Sequence, residues 1–182
     1  MIEITFPQML IFITAAWIFV RLVCNVKGKT FSLKREMLLL LVYICIVVIA
    51  RFVFFELNPV LGYPLPLRIV FNKNYKDFIH LKPFYFISDI YEGDKLNIIG
   101  NIAMFIPVGI VWPVCFRKLD RFWKTALACI GFSLFIELSQ LLCDGRHTDI
   151  DDLILNSIGS VTGAAVVFVI RKIRDRRRKT EN

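Results

Sequence analysis

The chain of 182 residues is 57% hydrophobic and carries a formal net charge of +8 at pH 7. Soluble domains are about 45 to 50% apolar, so this composition excludes an ordinary soluble domain and indicates a membrane protein. The positive charge lies in groups between or after apolar stretches, which argues against a nucleic-acid-binding protein.

Five apolar stretches are long enough to cross a bilayer, which requires about 20 mostly apolar residues per helix. They cover about residues 6–26, 37–57, 96–116, 125–143 and 152–170. The first does not resemble a secretory signal, because only Glu3 is charged before it and the basic residues follow it. We predict an all-α, polytopic membrane protein, a five-helix transmembrane bundle that forms a single domain over residues 1–182.

Basic residues follow the first, third and fifth stretches. They are Lys27, Lys29, Lys34 and Arg35, then Arg117, Lys118, Arg121 and Lys124, and finally Arg171, Lys172, Arg174, Arg176, Arg177, Arg178 and Lys179. In a five-pass protein these groups lie on one side of the membrane, which the positive-inside rule makes cytoplasmic. We expect the N-terminus outside, the C-terminus inside, and a basic tail over residues 171–182 that is attracted to anionic lipid.

Residues 58–95 form the longer external segment in this topology. Pro59, Pro64 and Pro66 favour an extended chain at its start. Its second half is rich in large apolar side chains, namely Phe78, Leu81, Phe84, Tyr85 and Phe86. Because aromatic rings favour the headgroup zone, we predict an interfacial or re-entrant element on the external side.

Three of the predicted helices carry polar side chains on one face, at spacings of three, four or seven residues. They are Asn97 and Asn101 on the third helix, Ser133, Glu137, Gln140 and Asp144 on the fourth, and Asp152 and Asn156 on the fifth. The predicted topology places all of them in the outer half of the membrane. This coincidence predicts an outward-facing polar pocket built from the last three helices.

Glu137 is the most informative of these residues, because it lies well inside its span. An unpaired charge at that depth costs at least about 2.5 to 3.5 kcal/mol on insertion scales, so the side chain needs partners. The candidate hydrogen-bond donors are Asn97, Asn101, Gln140 and Asn156. Arg51, in the outer part of the second helix, is a candidate counter-charge.

Structural roles compete with chemistry at several positions. Asp149 and Asp151 lie where carboxylates cap the N-terminus of a helix, and capping explains them at least as well as chemistry does. Arg51 suits snorkelling towards the headgroups equally well. Gly159 and Gly163 form a GxxxG pair that favours close helix packing. Neither capping nor packing explains the buried glutamate, so we favour a polar site.

A divalent cation such as Mg²⁺ or Ca²⁺ is a weak alternative ligand for the acidic residues. The residues that could hold it are Asp144, Asp149 and Asp151. No EF-hand, HExxH or other fixed ligand spacing is present, so the cation hypothesis is weak, and the sequence points to no other cofactor.

Two segments carry a family resemblance: NIIGNIAMFIPVGIVWP, from Asn97, and FIELSQLLCDGRHTDIDDLILNSIGSVTG, from Phe135. In order and spacing they resemble the VanZ family of bacterial membrane proteins. The matching residues are Asn97, Gly100, Asn101, Phe105, Pro107, Gly109, Glu137, Gln140, Arg146, Asp149, Asp151, Asp152, Asn156 and Gly159. His80, in HLKPF, stands where the family usually has Asn. The resemblance covers roughly residues 81–163.

The resemblance implies a location in the bacterial cytoplasmic membrane, a role in the cell envelope and lowered susceptibility to teicoplanin-like lipoglycopeptides. We therefore predict that the pocket binds the polar head of a membrane lipid or of a lipid-linked cell-wall precursor. The predicted ligand-binding residues are Asn97, Asn101, Gln140, Arg146, Asp149, Asn156 and Arg51, with Arg51 or Arg146 holding a phosphate. Glu137 and Asp152 are the candidate acid and base if the protein catalyses a reaction.

Two other functions compete with this prediction. A non-catalytic structural or binding protein would use the same polar groups only to lock helices together. Lipid transport is weaker, because the inner halves of the third and fifth helices carry few polar residues. The sequence leaves open whether the chain is an enzyme and how many copies associate.

Overall fold

The computed structural model describes residues 1–26, 32–58, 60, 62–71, 78–84 and 92–180. The described residues form five helices and four short strands. The helices are α1 (Phe6–Val26), α2 (Leu33–Phe54), α3 (Glu92–Cys115), α4 (Phe122–Gln140) and α5 (Ile150–Thr180); the strands are β1 (Ile2–Ile4), β2 (Leu67–Ile69), β3 (Ile79–His80) and β4 (Thr148–Asp149). All five helices are long and apolar enough to cross a membrane, which confirms the predicted all-α polytopic membrane protein.

Four helices differ at their ends from the predicted apolar stretches. α3 (Glu92–Cys115) begins before residue 96, and α4 (Phe122–Gln140) begins before residue 125 and ends before residue 143. α2 begins at Leu33 rather than near residue 37, and α5 continues to Thr180 through the predicted basic tail. Lys and Arg are strong helix formers, and cations in the last turn interact favourably with the helix dipole. The 31 residues of α5 span about 46 Å at 1.5 Å per residue, which exceeds the hydrocarbon thickness of about 30 Å.

The chain divides into two compact units. Unit 1 comprises Met1–Ile79 and Ser139–His147, and unit 2 comprises His80–Leu138 and Thr148–Asn182. Unit 1 therefore contains α1, α2, β1 and β2, while unit 2 contains α3, α5 and all of α4 except its last two residues.

In unit 1, α1 contacts α2 through polar and aromatic side chains. The hydroxyls of Thr14 and Tyr43 lie 2.8 Å apart, the rings of Trp17 and Tyr43 are 5.7 Å apart, and Arg21 forms an ion pair with Glu36. Beside these helices, β1 and β2 pair antiparallel, with the Cα atom of each β1 residue facing one in β2.

The other edge of β2 is also paired within unit 1. The N–H of Val70 donates to the carbonyl of Leu142 at 3.0 Å, and the N–H of Asp144 donates to the carbonyl of Arg68 at 2.7 Å. These bonds fix the segment after α4 against β2.

In unit 2, glycines bring the backbones of α3 and α5 into direct contact. A Cβ atom on Gly159 would overlap the carbonyl oxygen of Ile102, and one on Gly163 would overlap that of Ile106. On α3, a Cβ atom on Gly109 would overlap the backbone of α5. This is the close approach that a GxxxG pair favours.

Part of the predicted external segment lies outside the described residues, including Pro59, Tyr85 and Phe86. Lys27 and Lys29 also lie outside them. The interfacial or re-entrant element therefore stays a prediction.

Candidate functional site

Asp152, in the first turn of α5, accepts hydrogen bonds from two amides of α3. The Nδ2 atoms of Asn101 and Asn97 lie 2.5 and 3.3 Å from its Oδ1 atom. Asn97 and Asn101 are one helical turn apart, so they share a face and reach the same carboxylate oxygen. Asn101 is 7% exposed, whereas Asn97 is exposed. Unit 2 thus brings three predicted site residues together.

Glu137, near the end of α4, is 3% exposed. Its Oε2 atom accepts a hydrogen bond from the backbone N–H of Asp149 at 3.2 Å, and the Thr148 hydroxyl donates to the Glu137 carbonyl at 2.6 Å. The segment that enters α5 therefore fixes both the side chain and the backbone of Glu137. We name the five residues Asn97, Asn101, Glu137, Asp149 and Asp152 the carboxylate–amide site.

The donors differ from those suggested by the sequence. Asn97 and Asn101 donate to Asp152, and Asn156 donates to Ser133, while Glu137 receives a main-chain N–H. Main-chain donors exist at every non-proline residue, so residue types give no sign of which one will reach a buried carboxylate.

Asp149 and Asp151 take structural positions in unit 2. The Oδ1 atom of Asp149 accepts the backbone N–H of Asp151 at 2.9 Å, as an N-cap residue does. Asp151 is buried, and its Oδ1 atom accepts the backbone N–H of Phe84 at 2.6 Å. Phe84 has a φ of 65°, a conformation that costs a residue with a Cβ atom about 1 to 2 kcal/mol. Asp151 holds the chain in this turn.

Asn156 lies one helical turn after Asp152 in α5 and is 2% exposed. Its Nδ2 atom donates to the Ser133 hydroxyl at 3.1 Å. Among the described residues, its Oδ1 atom is buried and has no hydrogen-bond partner. Leaving a buried acceptor unsatisfied costs about 1 to 3 kcal/mol, so this oxygen is a place where a donor would bind favourably.

Sequence patterns did not point to Thr148, whose hydroxyl holds the end of α4. The only sequence feature that sets Thr148 apart is its position just before an N-cap residue. Many loop residues share that feature, so it does not predict a bond to α4. The contact between Phe84 and Asp151 is equally unpredictable from the sequence, because Phe84 contributes its main-chain N–H rather than its side chain.

Two further predicted residues, Arg51 and Gln140, belong to unit 1. The Arg51 guanidinium donates to the carbonyl of Phe55 at 2.8 Å and lies over the rings of Phe6 and Phe52, 5.7 and 5.6 Å from their centroids. The Nε2 atom of Gln140 lies 3.4 Å from the carbonyl oxygen of Val53.

Arg146 and Asp144 also belong to unit 1, where they line a cavity of about 270 Å³. The Arg146 guanidinium is 3.4 Å from the carboxylate of Glu56. Asp144 is exposed and lies two residues before Arg146.

The described residues contain no group of three or more His, Cys, Asp or Glu side chains that could hold a metal ion. In unit 2, Asp149 caps α5 and Asp151 holds Phe84. The cation hypothesis therefore gains no support from the described part of the chain.

Five membrane-length helices and buried acid and amide groups within them define a polytopic integral membrane protein with a candidate polar site. The chain belongs to the VanZ/LLP1 family, whose model matches residues 39–171. It is also similar to Protein VanZ of Enterococcus faecium, with 31% identity over 94 residues, or 52% of this chain and 54% of the relative. The chain thus spans about half the length of this curated relative. No solved structure matches the chain.

Proposed function

We propose that this protein binds, through the carboxylate–amide site, the polar head of a lipid or of a lipid-linked cell-envelope precursor. We propose that it does so in the bacterial cytoplasmic membrane and thereby lowers susceptibility to teicoplanin-like lipoglycopeptides. The observation that carries the proposal is the pair of amides on Asp152, together with the buried Glu137 that is hydrogen-bonded to Asp149 three residues before Asp152; the two amides, Glu137 and Asp152 lie within helices of membrane-spanning length.

The placement of the site along its helices supports a headgroup as the ligand. Asn97 is near the start of α3, Glu137 is near the end of α4, and Asp152 is near the start of α5. Because successive spans run in opposite directions, these three positions share one side of a membrane. Ionisable groups at such positions commonly mark a functional site, since an unpaired charge there is costly.

Each residue has a proposed role. Asn97 and Asn101 orient the ligand, and the side-chain Oδ1 atom of Asn156 accepts a hydrogen bond from it. Asp149 contributes a further polar contact. Glu137 and Asp152 exchange protons with the ligand if a reaction occurs, because two carboxyl groups in different surroundings can act as acid and base.

Arg146 and Arg51 belong to unit 1 and are proposed, separately from the carboxylate–amide site, as residues that can bind a phosphate, because a guanidinium matches the geometry of a phosphate. Gln140 is a proposed hydrogen-bonding residue there. Its buried Oε1 atom has no hydrogen-bond partner among the described residues.

The proposed orientation has the N-terminus outside and the C-terminus inside. The basic residues that follow α1, α3 and the apolar part of α5 support it through the positive-inside rule. This orientation places the carboxylate–amide site towards the outer leaflet, where lipoglycopeptides act.

The decisive variant is Glu137→Gln, expressed in a teicoplanin-susceptible bacterial host. We expect the increase in teicoplanin resistance given by the wild-type chain to disappear while the amount of protein in the membrane stays the same. Asp175→Asn is the matched control, since Asp175 is exposed and the change also removes one carboxylate. Unchanged teicoplanin susceptibility with Glu137→Gln at normal abundance would remove Glu137 from the proposed function.

A structural function is the second candidate, and the bond between Asn156 and Ser133 favours it. Interhelical hydrogen bonds of this kind hold spanning helices together. In that case Asn156→Leu lowers the abundance of the protein in the membrane, whereas in the binding function it lowers resistance at normal abundance. Immunoblotting of membranes alongside teicoplanin susceptibility separates the two.

A further inference from the structure

The cavity of about 270 Å³ lies entirely within unit 1 and is lined by both apolar and charged residues. The apolar lining residues are Phe54 and residues 65–67. The charged lining residues, which we call the charged wall, are Glu56, Arg68, Asp144 and Arg146.

Main-chain bonds shape the charged wall. The N–H of Asp144 donates to the carbonyl of Arg68 at 2.7 Å, so the two backbones run side by side. Gly145 has a φ of 70°, which a glycine adopts at no steric cost. The turn at Gly145 places Asp144 and Arg146 on the same cavity as Arg68. The main-chain bond and the turn therefore hold these lining residues in position.

The charged wall contains two guanidinium groups and two carboxylates, and Arg68 also forms an ion pair with Glu3 at 2.9 Å. A simple anion would meet as much repulsion as attraction there, whereas a ligand with one charge of each sign can pair with both kinds of group. The distance between Arg146 and Glu56 is 3.4 Å, longer than the roughly 2.7 to 2.9 Å of a strong charge-assisted hydrogen bond. A ligand phosphate can improve on this contact.

The position of the cavity favours a membrane amphiphile as the source of the ligand. Phe54 is the last residue of α2, so the cavity lies at the end of a membrane-spanning helix. Leu57 and Pro64 form an antiparallel β-bridge next to two residues that line the cavity, Glu56 and Leu65. The exposed side chains of Leu57, Val60 and Tyr63 lie in the hairpin that this bridge closes. Apolar and aromatic side chains of this kind suit the interface between headgroups and acyl chains.

The size of the cavity limits what it can hold. Small-molecule pockets are typically about 300 to 1,000 Å³, so a cavity of about 270 Å³ accepts a headgroup and leaves the acyl chains outside.

We propose that this cavity binds a headgroup that carries a phosphate and an ammonium, such as that of phosphatidylethanolamine. Arg146 is the main phosphate ligand, and Arg68, whose Nε atom donates to Glu3, contributes its other N–H groups. Glu56 and Asp144 bind the ammonium. The inference goes beyond the proposed function, because it assigns a ligand class to a cavity that shares only Arg146 with the residues named there.

The test uses the full chain, purified in detergent, and native mass spectrometry with added lipids. We expect the wild-type protein to retain phosphatidylethanolamine about tenfold or more better than phosphatidylglycerol, which has the phosphate but no ammonium; this is the ratio that one hydrogen bond to a charged group provides. Arg146→Gln should weaken retention of both lipids. Glu56→Gln should remove the preference while phosphatidylglycerol stays bound.

Two further variants keep the result independent of folding. Leu65→Trp fills the cavity without changing any charge, so it should block retention of phosphatidylethanolamine. Arg35→Gln makes the same charge change as Arg146→Gln at an exposed position outside the cavity, so it should bind both lipids like the wild-type protein.

Three results would overturn the inference. They are equal retention of the two lipids by the wild-type chain, wild-type binding by both Arg146→Gln and Leu65→Trp, or loss of the lipid preference in Glu137→Gln, which lies in unit 2. Displacement of the lipid by soluble phosphoethanolamine at similar concentration would support the same cavity with a soluble ligand. Resistance to displacement would support the membrane lipid.

Discussion

Replacing Asn101 with Leu should destabilise the protein far more than the same change at Asn97. Both amides donate to Asp152, but the Asn101 bond is 2.5 Å long and buried, whereas the Asn97 bond is 3.3 Å long and its residue is exposed. A hydrogen bond to a charged group contributes about 1.5 to 3 kcal/mol. We expect Asn101→Leu to lower the free energy of unfolding by about this amount, because it leaves a carboxylate without its main donor.

The matched variant, Asn97→Leu, should cost less than about 1 kcal/mol, because water can replace an exposed donor. The assay is chemical unfolding of the purified protein in detergent, with Asp152→Leu and the double variant Asn101→Leu/Asp152→Leu to complete a double-mutant cycle. Residues in direct contact show coupling energies of about 0.5 to 3 kcal/mol. A coupling energy near zero, or equal losses for the two asparagines, would refute the assignment of Asn101 as the main donor.

Three other changes test the backbone features around the sites. Gly159→Ala should lower thermal stability in detergent by about 1 to 3 kcal/mol, because the added Cβ atom overlaps the Ile102 carbonyl; Gly131→Ala, which meets no atom within 4 Å, should be neutral or stabilising, and equal losses for the two glycines would contradict the close contact. Gly145→Ala should cost about 1 to 2 kcal/mol, because an alanine is strained at a φ of 70°, and a stability unchanged in the same assay would argue against this turn. Asp149→Ala should cost about 0.5 to 2 kcal/mol through loss of the α5 cap, measured by chemical unfolding; Asp149→Asn, which keeps a capping side chain, should recover most of that loss if capping is the reason.

The membrane-spanning helices were predictable because a span needs a long run of apolar residues, and that run is visible in the sequence. The first prediction, residues 6–26, coincides with α1. The ends of α2 and α5 were not predictable in this way, since apolar content reports contact with lipid while the helix continues through charged residues that keep its backbone hydrogen bonds. Leu33 and Thr180 mark those ends.

The carboxylate–amide site was predictable only in part. The spacing of Asn97 and Asn101 correctly placed them on one face, but it could not show that they bind Asp152. That choice depends on the relative height of α3 and α5, which the contact at Gly159 sets. The bond from the Asp149 backbone to Glu137 was beyond prediction, because it uses no particular side chain.

The glycine contacts between α3 and α5 have a consequence for how unit 2 can respond to an occupant. Where two backbones are in direct contact, no side chain between them can change rotamer to let one helix shift against the other. We therefore expect α3 and α5 to move as a single body that carries Asn97, Asn101 and Asp152 with it. The attachment of Glu137 and its helix α4 to α5 is softer, since it includes hydrogen bonds from Thr148 and Asp149 to Glu137 and from Asn156 to Ser133, which can lengthen or exchange. Glu137 would then move to accommodate a bound ligand, while Asn97, Asn101 and Asp152 keep their positions.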